Sequence, residues 1–123
     1  MSDSNNPFGE VIYRYTRANA IADGVLVDLS KVETVKAHWK HPFACTDTVF
    51  ALIERAIETG SFDLNGIMHD VGVTATAEAR KGGRRDVVFF LVGIGDKLHE
   101  LKLHIGPGDT AEPVLTLMLP HED

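Results

Sequence analysis

Four cations stand within six residues at Arg80, Lys81, Arg84 and Arg85, around the pair Gly82-Gly83. Glycines beside cations let a backbone approach an anion closely, so the stretch is a candidate for holding a phosphate or an acidic partner. The plainer reading carries more weight: cations finish a helix, offset the negative end of its dipole, and keep a loop soluble ahead of an apolar strand. A second candidate is the loop Gly106-Pro107-Gly108-Asp109. Two glycines around a proline impose a particular chain path and leave backbone N–H groups able to meet a ligand. A turn between two strands requires the same residues, and that reading is favoured for Gly106, Gly108 and Asp109.

The histidines and the single cysteine are the remaining reactive groups. His38 and His41 stand three apart with Cys45 four further on, and His69-Asp70 can join them around zinc if the fold brings them together. His41 precedes Pro42, so the pair straddles a helix end, and the two close pairs that announce zinc motifs are missing. Cys45 lies just ahead of a helix start, where a thiolate is favoured, and any of six histidines can serve as a base for it. A lone cysteine is more often a small buried residue. There is no Walker loop, and Gly93-Ile94-Gly95 leads into a hairpin rather than a helix, outside the context of a dinucleotide fingerprint. No catalytic residue, metal or cofactor is therefore assigned. A small hydrolase or nuclease using His38, His41, His69, His99 or His104 with Cys45 or a metal is kept as an alternative, as is a DNA-binding regulator acting through the basic loop. Trp39, beside Val35 and Phe43, reads as core or half-core rather than as an anchor for a partner.

The elements that must position these groups follow from periodicity. Residues 1 to 10 hold Ser, Asn, Pro and Gly with little to bury and read as a disordered start, leaving residues 11 to 123 as one domain. Residues 11 to 15 permit a short strand. Thr16 can cap a helix over residues 17 to 22 that stops at Gly24. Residues 25 to 29 are extended, and Ser30 is a plausible cap for a helix carrying Val32, Val35 and Trp39 until His41-Pro42 ends it. After Thr46, Val49, Leu52, Ile53, Ala56 and Ile57 form an apolar helical stripe closed by Gly60. Another helical pattern starts near Asp63 and is weakened by Gly72 and β-branched residues in its second half.

Residues 87 to 92 are six apolar residues in a row, which predicts a strand covered on both faces at the centre of the sheet. Gly95-Asp96 predicts a two-residue turn into an alternating strand with Leu101, Leu103 and Ile105 on one side. Residues 114 to 119 predict a third antiparallel strand. The expected fold is α+β, with N-terminal helices packed on one face of a C-terminal three-stranded antiparallel meander. A strand that is apolar on both faces needs shielding on the second, which predicts a homodimer that buries part of the sheet.

The 123 residues are 44% hydrophobic and 24% charged, in the globular range, and a chain of this length buries roughly two thirds of its unfolded surface. With no basic and apolar leader at the start and no apolar run long enough for a bilayer, the expected location is cytoplasmic, without membrane contact. The formal charge of −6 argues against general nucleic-acid binding, though not against a local basic site, and suits a basic partner or imitation of the charge of DNA.

Residues 13 to 30 and 101 to 123 together resemble a family of small uncharacterised bacterial proteins carried on plasmids, phages and other mobile elements. The opening likeness rests on Tyr15, Thr16-Arg17-Ala18, Ala20 and Asp23-Gly24. The closing likeness rests on Gly106-Pro107-Gly108-Asp109, Glu112-Pro113-Val114 and Met118-Leu119-Pro120. The resemblance covers about a third of the chain and supplies no catalytic residues. It implies a genomic setting, not a reaction. The expected function is that of a non-enzymatic accessory protein of a mobile element that binds a host or element-encoded protein, in a sharper form an anti-defence inhibitor whose acidic face occupies a DNA-binding groove.

Overall fold

A computed structural model describes residues 15–83 and 86–122. The predicted strand at 11 to 15 and the predicted disorder of residues 1 to 10 lie outside the described residues, apart from Tyr15. Thr16 caps the first helix, α1 (Arg17–Ala22), and forms a reciprocal capping box with Asn19, while Gly24 at φ 79° turns the chain out of it. A short strand β1 (Leu26–Asp28) leads to helix α2 (Glu33–His38). Ser30 does not cap α2. Its hydroxyl accepts the N–H of Phe43 at 2.9 Å and donates to the same residue's carbonyl, while Val32 occupies the cap position with no side-chain bond.

Strand β2 (Phe43–Thr46) is buried throughout and runs directly into helix α3 (Asp47–Glu58), whose N-terminus the Thr46 hydroxyl caps through Val49 N–H. Asp63 caps helix α4 (Leu64–Ala79), which continues unbroken through the Gly72 and β-branched region. Gly72 sits there because His38 lies against it: an added Cβ would come within 3.2 Å of the imidazole. Strands β3 (Val87–Ile94), β4 (Lys97–Pro107) and β5 (Pro113–Met118) complete the order. Between β3 and β4, Gly95 has φ 72° and Asp96 does not have positive φ, the dihedral pattern of a II′ turn and the expected place for glycine.

Among the described residues the sheet has five strands, ordered β1-β2-β5-β4-β3, where three were expected. β5 pairs antiparallel with β4 and parallel with β2, so the sheet is mixed and β5, not β3, is at its centre. β3 is an edge strand. Its continuous apolar run arises because Phe90, Val92 and Ile94 enter the core on one face, while Phe89 and Leu91 lie exposed on the other.

Cross-strand register assigns the two faces. Val27, Cys45, Leu117, Leu103 and Val88 form one row across all five strands. This face meets Val49 and Ile53 of α3 and Ile67, Val71 and Ala75 of α4 in the hydrophobic core. Each large aliphatic side chain fully buried there contributes about 1.5 to 3 kcal/mol. α2 leans on α4, with His38 Nε2 2.8 Å from Thr76 Oγ1. The next row, Asp28, Ala44, Thr116, His104 and Val87, faces the other way. α1 lies on this second face, so the helices are not confined to one side as expected.

Candidate functional site

The second face is where the singled-out loop and the bare half of β3 both lie. α1 has three N–H groups in its first turn with no partner inside the helix. Thr16 Oγ1 accepts that of Asn19, and the carboxylate of Asp109 accepts the other two, from Arg17 at 2.6 Å and from Ala18 at 3.0 Å. Arg17 then reaches into the sheet, donating to Thr116 Oγ1 and to the Leu115 carbonyl, both at 2.7 Å. Burial lowers the guanidinium's pKa from its ordinary value, and the charges of Asp28 and Asp109 pull it back up. The hydroxyl of Tyr15 donates to Asp23 at 2.8 Å across the helix.

Asp109 is thus a structural cap as well as a lining residue. Gly108 is required by packing, since a Cβ there would lie 2.7 Å from Val114 Cγ1, and a Cβ at Gly106 would lie 2.9 Å from the His104 ring. Even so, the loop borders an open cleft of about 260 Å³ whose lining includes Arg17, Asp28, Asp109 and Glu112. A second cavity of about 590 Å³ lies further along the same face, between Tyr15, Leu26, Met118 and Glu122. Glu122 closes its floor by accepting the Thr46 hydroxyl at 2.9 Å and the Leu119 N–H at 2.8 Å.

The other half of this face is finished differently. Phe89, Leu91 and Leu98 are 46%, 59% and 71% exposed, and the pairings Phe89 with Lys102, Leu91 with Glu100 and Gly93 with Leu98 align them on one side of the β3–β4 hairpin. Phe89 and Leu91 lie on the outer strand with Lys102 and Glu100 opposite them on β4, and Leu98 lies nearer the turn. The run of apolar residues was visible in the sequence, but its exposure depends on β3 lying at an edge.

The basic loop holds together only in part. Arg80 is the exposed C-cap residue of α4, and Lys81 pairs with Glu78 at 2.9 Å on the same helix end. Gly82 and Gly83 take φ values of 91° and 99°. Arg84 and Arg85 lie outside the described residues.

The reactive groups are spread over α2, β2, α4, β4 and the connecting segments. Cys45 is fully buried in the core, and burial, with the nearby carboxylates of Asp47 and Glu122, pushes its pKa up to about 12. A thiol so placed stays protonated and out of reach of a substrate. His38 ends α2, His69 is on α4, His99 and His104 are on β4, and His121 follows β5. Among the described residues no three His, Cys, Asp or Glu side chains are grouped to hold a metal ion. Trp39 packs on Phe43, ring centroids 5.8 Å apart, at the margin of the core. No described helix is long and apolar enough to cross a membrane. Comparison of the chain with protein-family models, with curated proteins and with solved structures finds no match.

Proposed function

We propose that the protein is a non-enzymatic accessory protein of a mobile genetic element and that it acts by binding a host or element-encoded protein through the second face of its sheet. The observation that supports this reading is the exposed strip of Phe89, Leu91 and Leu98, a contiguous apolar surface of the kind that marks interaction sites. The genomic setting rests on the resemblance of residues 13 to 30 and 101 to 123 to mobile-element proteins.

A sharper form makes the protein an anti-defence inhibitor. Asp28, Asp109 and Glu112 outnumber Arg17 in the cleft at the other end of this face, and the chain as a whole carries −6. One footprint then offers an apolar contact with acidic flanks, the complement of a basic, partly apolar groove.

The test is affinity capture from a bacterial host lysate with wild-type protein and with Leu98→Lys, run over a series of salt concentrations. Capture of a macromolecule by the wild type, lost in Leu98→Lys, supports the reading, and salt-sensitive capture supports its sharper form. No macromolecule above background at any salt concentration refutes it.

A further inference from the structure

Edge strands expose unpaired backbone groups, and proteins blunt them with prolines, bulges, inward charges, brevity or a covering helix or loop; among the described residues the end of α4, at Glu78, Ala79 and Gly82, borders β3 only at Val87, Val88 and Phe89. β1, at one end of the sheet, is three residues long and carries Asp28. β3, at the other end, is eight residues long and holds neither a charge nor a proline: Val87, Val88, Phe89, Phe90, Leu91, Val92, Gly93, Ile94. Its pairing with β4 is continuous over all eight.

The hydrogen-bond parity of the hairpin says which backbone groups remain outward. Residues flanking a two-residue turn form a hydrogen-bonded pair, and such pairs alternate along an antiparallel ladder. Starting from Ile94 and Lys97, the residues aimed at β4 are 94, 92, 90, 88 and 86, and the 2.8 Å bond from Ile105 N–H to the Asp86 carbonyl agrees. Residues 87, 89, 91 and 93 therefore turn their N–H and C=O groups away from the sheet. These same residues present Phe89 and Leu91 on the exposed face.

We infer that β3 is the interface through which two copies of this chain join, antiparallel edge to edge, into one continuous sheet. The four outward residues are centred on position 90, so a twofold axis there pairs 89 with 91 and 87 with 93 of the second copy. Phe89 of each copy then lies opposite Leu91 of the other, an aromatic–aliphatic cross-strand pair made twice. The inference goes beyond the proposed function and stands without it, because the edge is used for self-association while the face stays open to a partner.

Analytical ultracentrifugation from about 1 to 100 μM, with amide hydrogen exchange at both ends of that range, tests it. A dimer is expected, with the amides of residues 89, 91 and 93 slowing as concentration rises while those of 88, 90 and 92 stay slow throughout. Leu91→Pro removes an outward N–H and leaves the β3–β4 ladder intact, and it is expected to weaken association at least about tenfold. Leu98→Lys, on the same face but on β4, is expected to leave the dimer in place. A monomer over the whole range overturns the inference. So does a dimer lost in Leu98→Lys and kept in Leu91→Pro, the result for sheets stacked face to face, and so does concentration-independent protection of 89, 91 and 93, the result for an edge covered by the chain's own first residues. The exchange pattern is read on the wild type and decides the matter even if Leu91→Pro does not fold. Loss of lysate capture in Leu98→Lys with the dimer intact bears only on the proposed function.

Discussion

One face of the sheet is finished in two ways. Over β1, β2 and β5, α1 is fastened at its first turn: Asp109 caps its N-terminus, and Arg17 binds the Leu115 carbonyl and Thr116. Over β4 and β3 no described element covers the strands, and Phe89, Leu91 and Leu98 are exposed. Both halves belong to the same sheet and share its opposite, helix-covered face. The covered half is locked by polar contacts joining residues more than ninety positions apart in the chain, whereas the open half relies on local hairpin pairing. Structural residues concentrate where segments far apart in sequence meet, and contact surface is left where only a hairpin is present.

The largest effect that can test this contrast comes from cutting the same side chain on the two faces of the hairpin. Leu101→Ala opens a cavity in the fully buried core and is expected to cost about 3 kcal/mol, while Leu91→Ala, at a side chain 59% exposed, is expected to cost under about 0.5 kcal/mol in a dilute monomer. Urea denaturation of both variants measures the difference. Similar losses from the two would mean that the exposed half is covered.

Asp109→Ala tests the locked half. It strips two N–H groups of α1 of their acceptor and removes a partner of Arg17, for an expected loss of about 2 kcal/mol. The sharper readout is hydrogen exchange: amides of α1 should speed up well before those of α3 and α4. Uniform acceleration would show that α1 is part of the main cooperative unit.

These expectations depend on contacts that local sequence reading does not reach. α1, α3 and the β3–β4 turn were legible because their signals are local: Thr16 and Thr46 as caps, Gly24 and Gly60 as stops, Gly95 as the first turn residue. The loop at Gly106 to Asp109 reads as a constrained turn, but its partner, the start of α1, is 92 residues away, and nothing in its own composition names that partner. β2 is not legible because the three residues between Pro42 and the helix cap Thr46 are too few to show a period, and its strand character comes from pairing with both β1 and β5. The sequence of β3 predicts a central strand because an apolar run looks the same whether the second face meets a helix or is exposed. The charge of the 80 to 85 stretch was legible, and its use at Lys81 is the ordinary one of an ion pair on a helix end.

Alkaline pH gives an intermediate effect that probes the shared core beneath both halves. Cys45 has its pKa raised from 9.0 to about 12 in the fold. A raised thiol pKa leaves stability intact below the unfolded value and erodes it as pH climbs toward the folded one, because the unfolded chain releases its proton first. Between pH 9 and 10 the loss from this group is expected to be about 1 kcal/mol, and Cys45→Ala should flatten that slope whatever its own cost in packing. A denaturation series at pH 8, 9 and 10 on both proteins checks it, and equal slopes would mean that the thiol is not the titrating group.

The smallest expected effect lies where α4 hands the chain to β3. Lys81 and Glu78 form an exposed pair one turn apart, with side chains 71% and 37% accessible, so Lys81→Ala is expected to change stability by less than about 0.5 kcal/mol and less still in high salt. If the basic stretch serves the helix end alone, association and lysate capture should be unchanged in the same variant. A drop in either, without a drop in stability, would move Lys81 from the locked scaffold to the contact surface and extend that surface past the edge of β3 onto the end of α4.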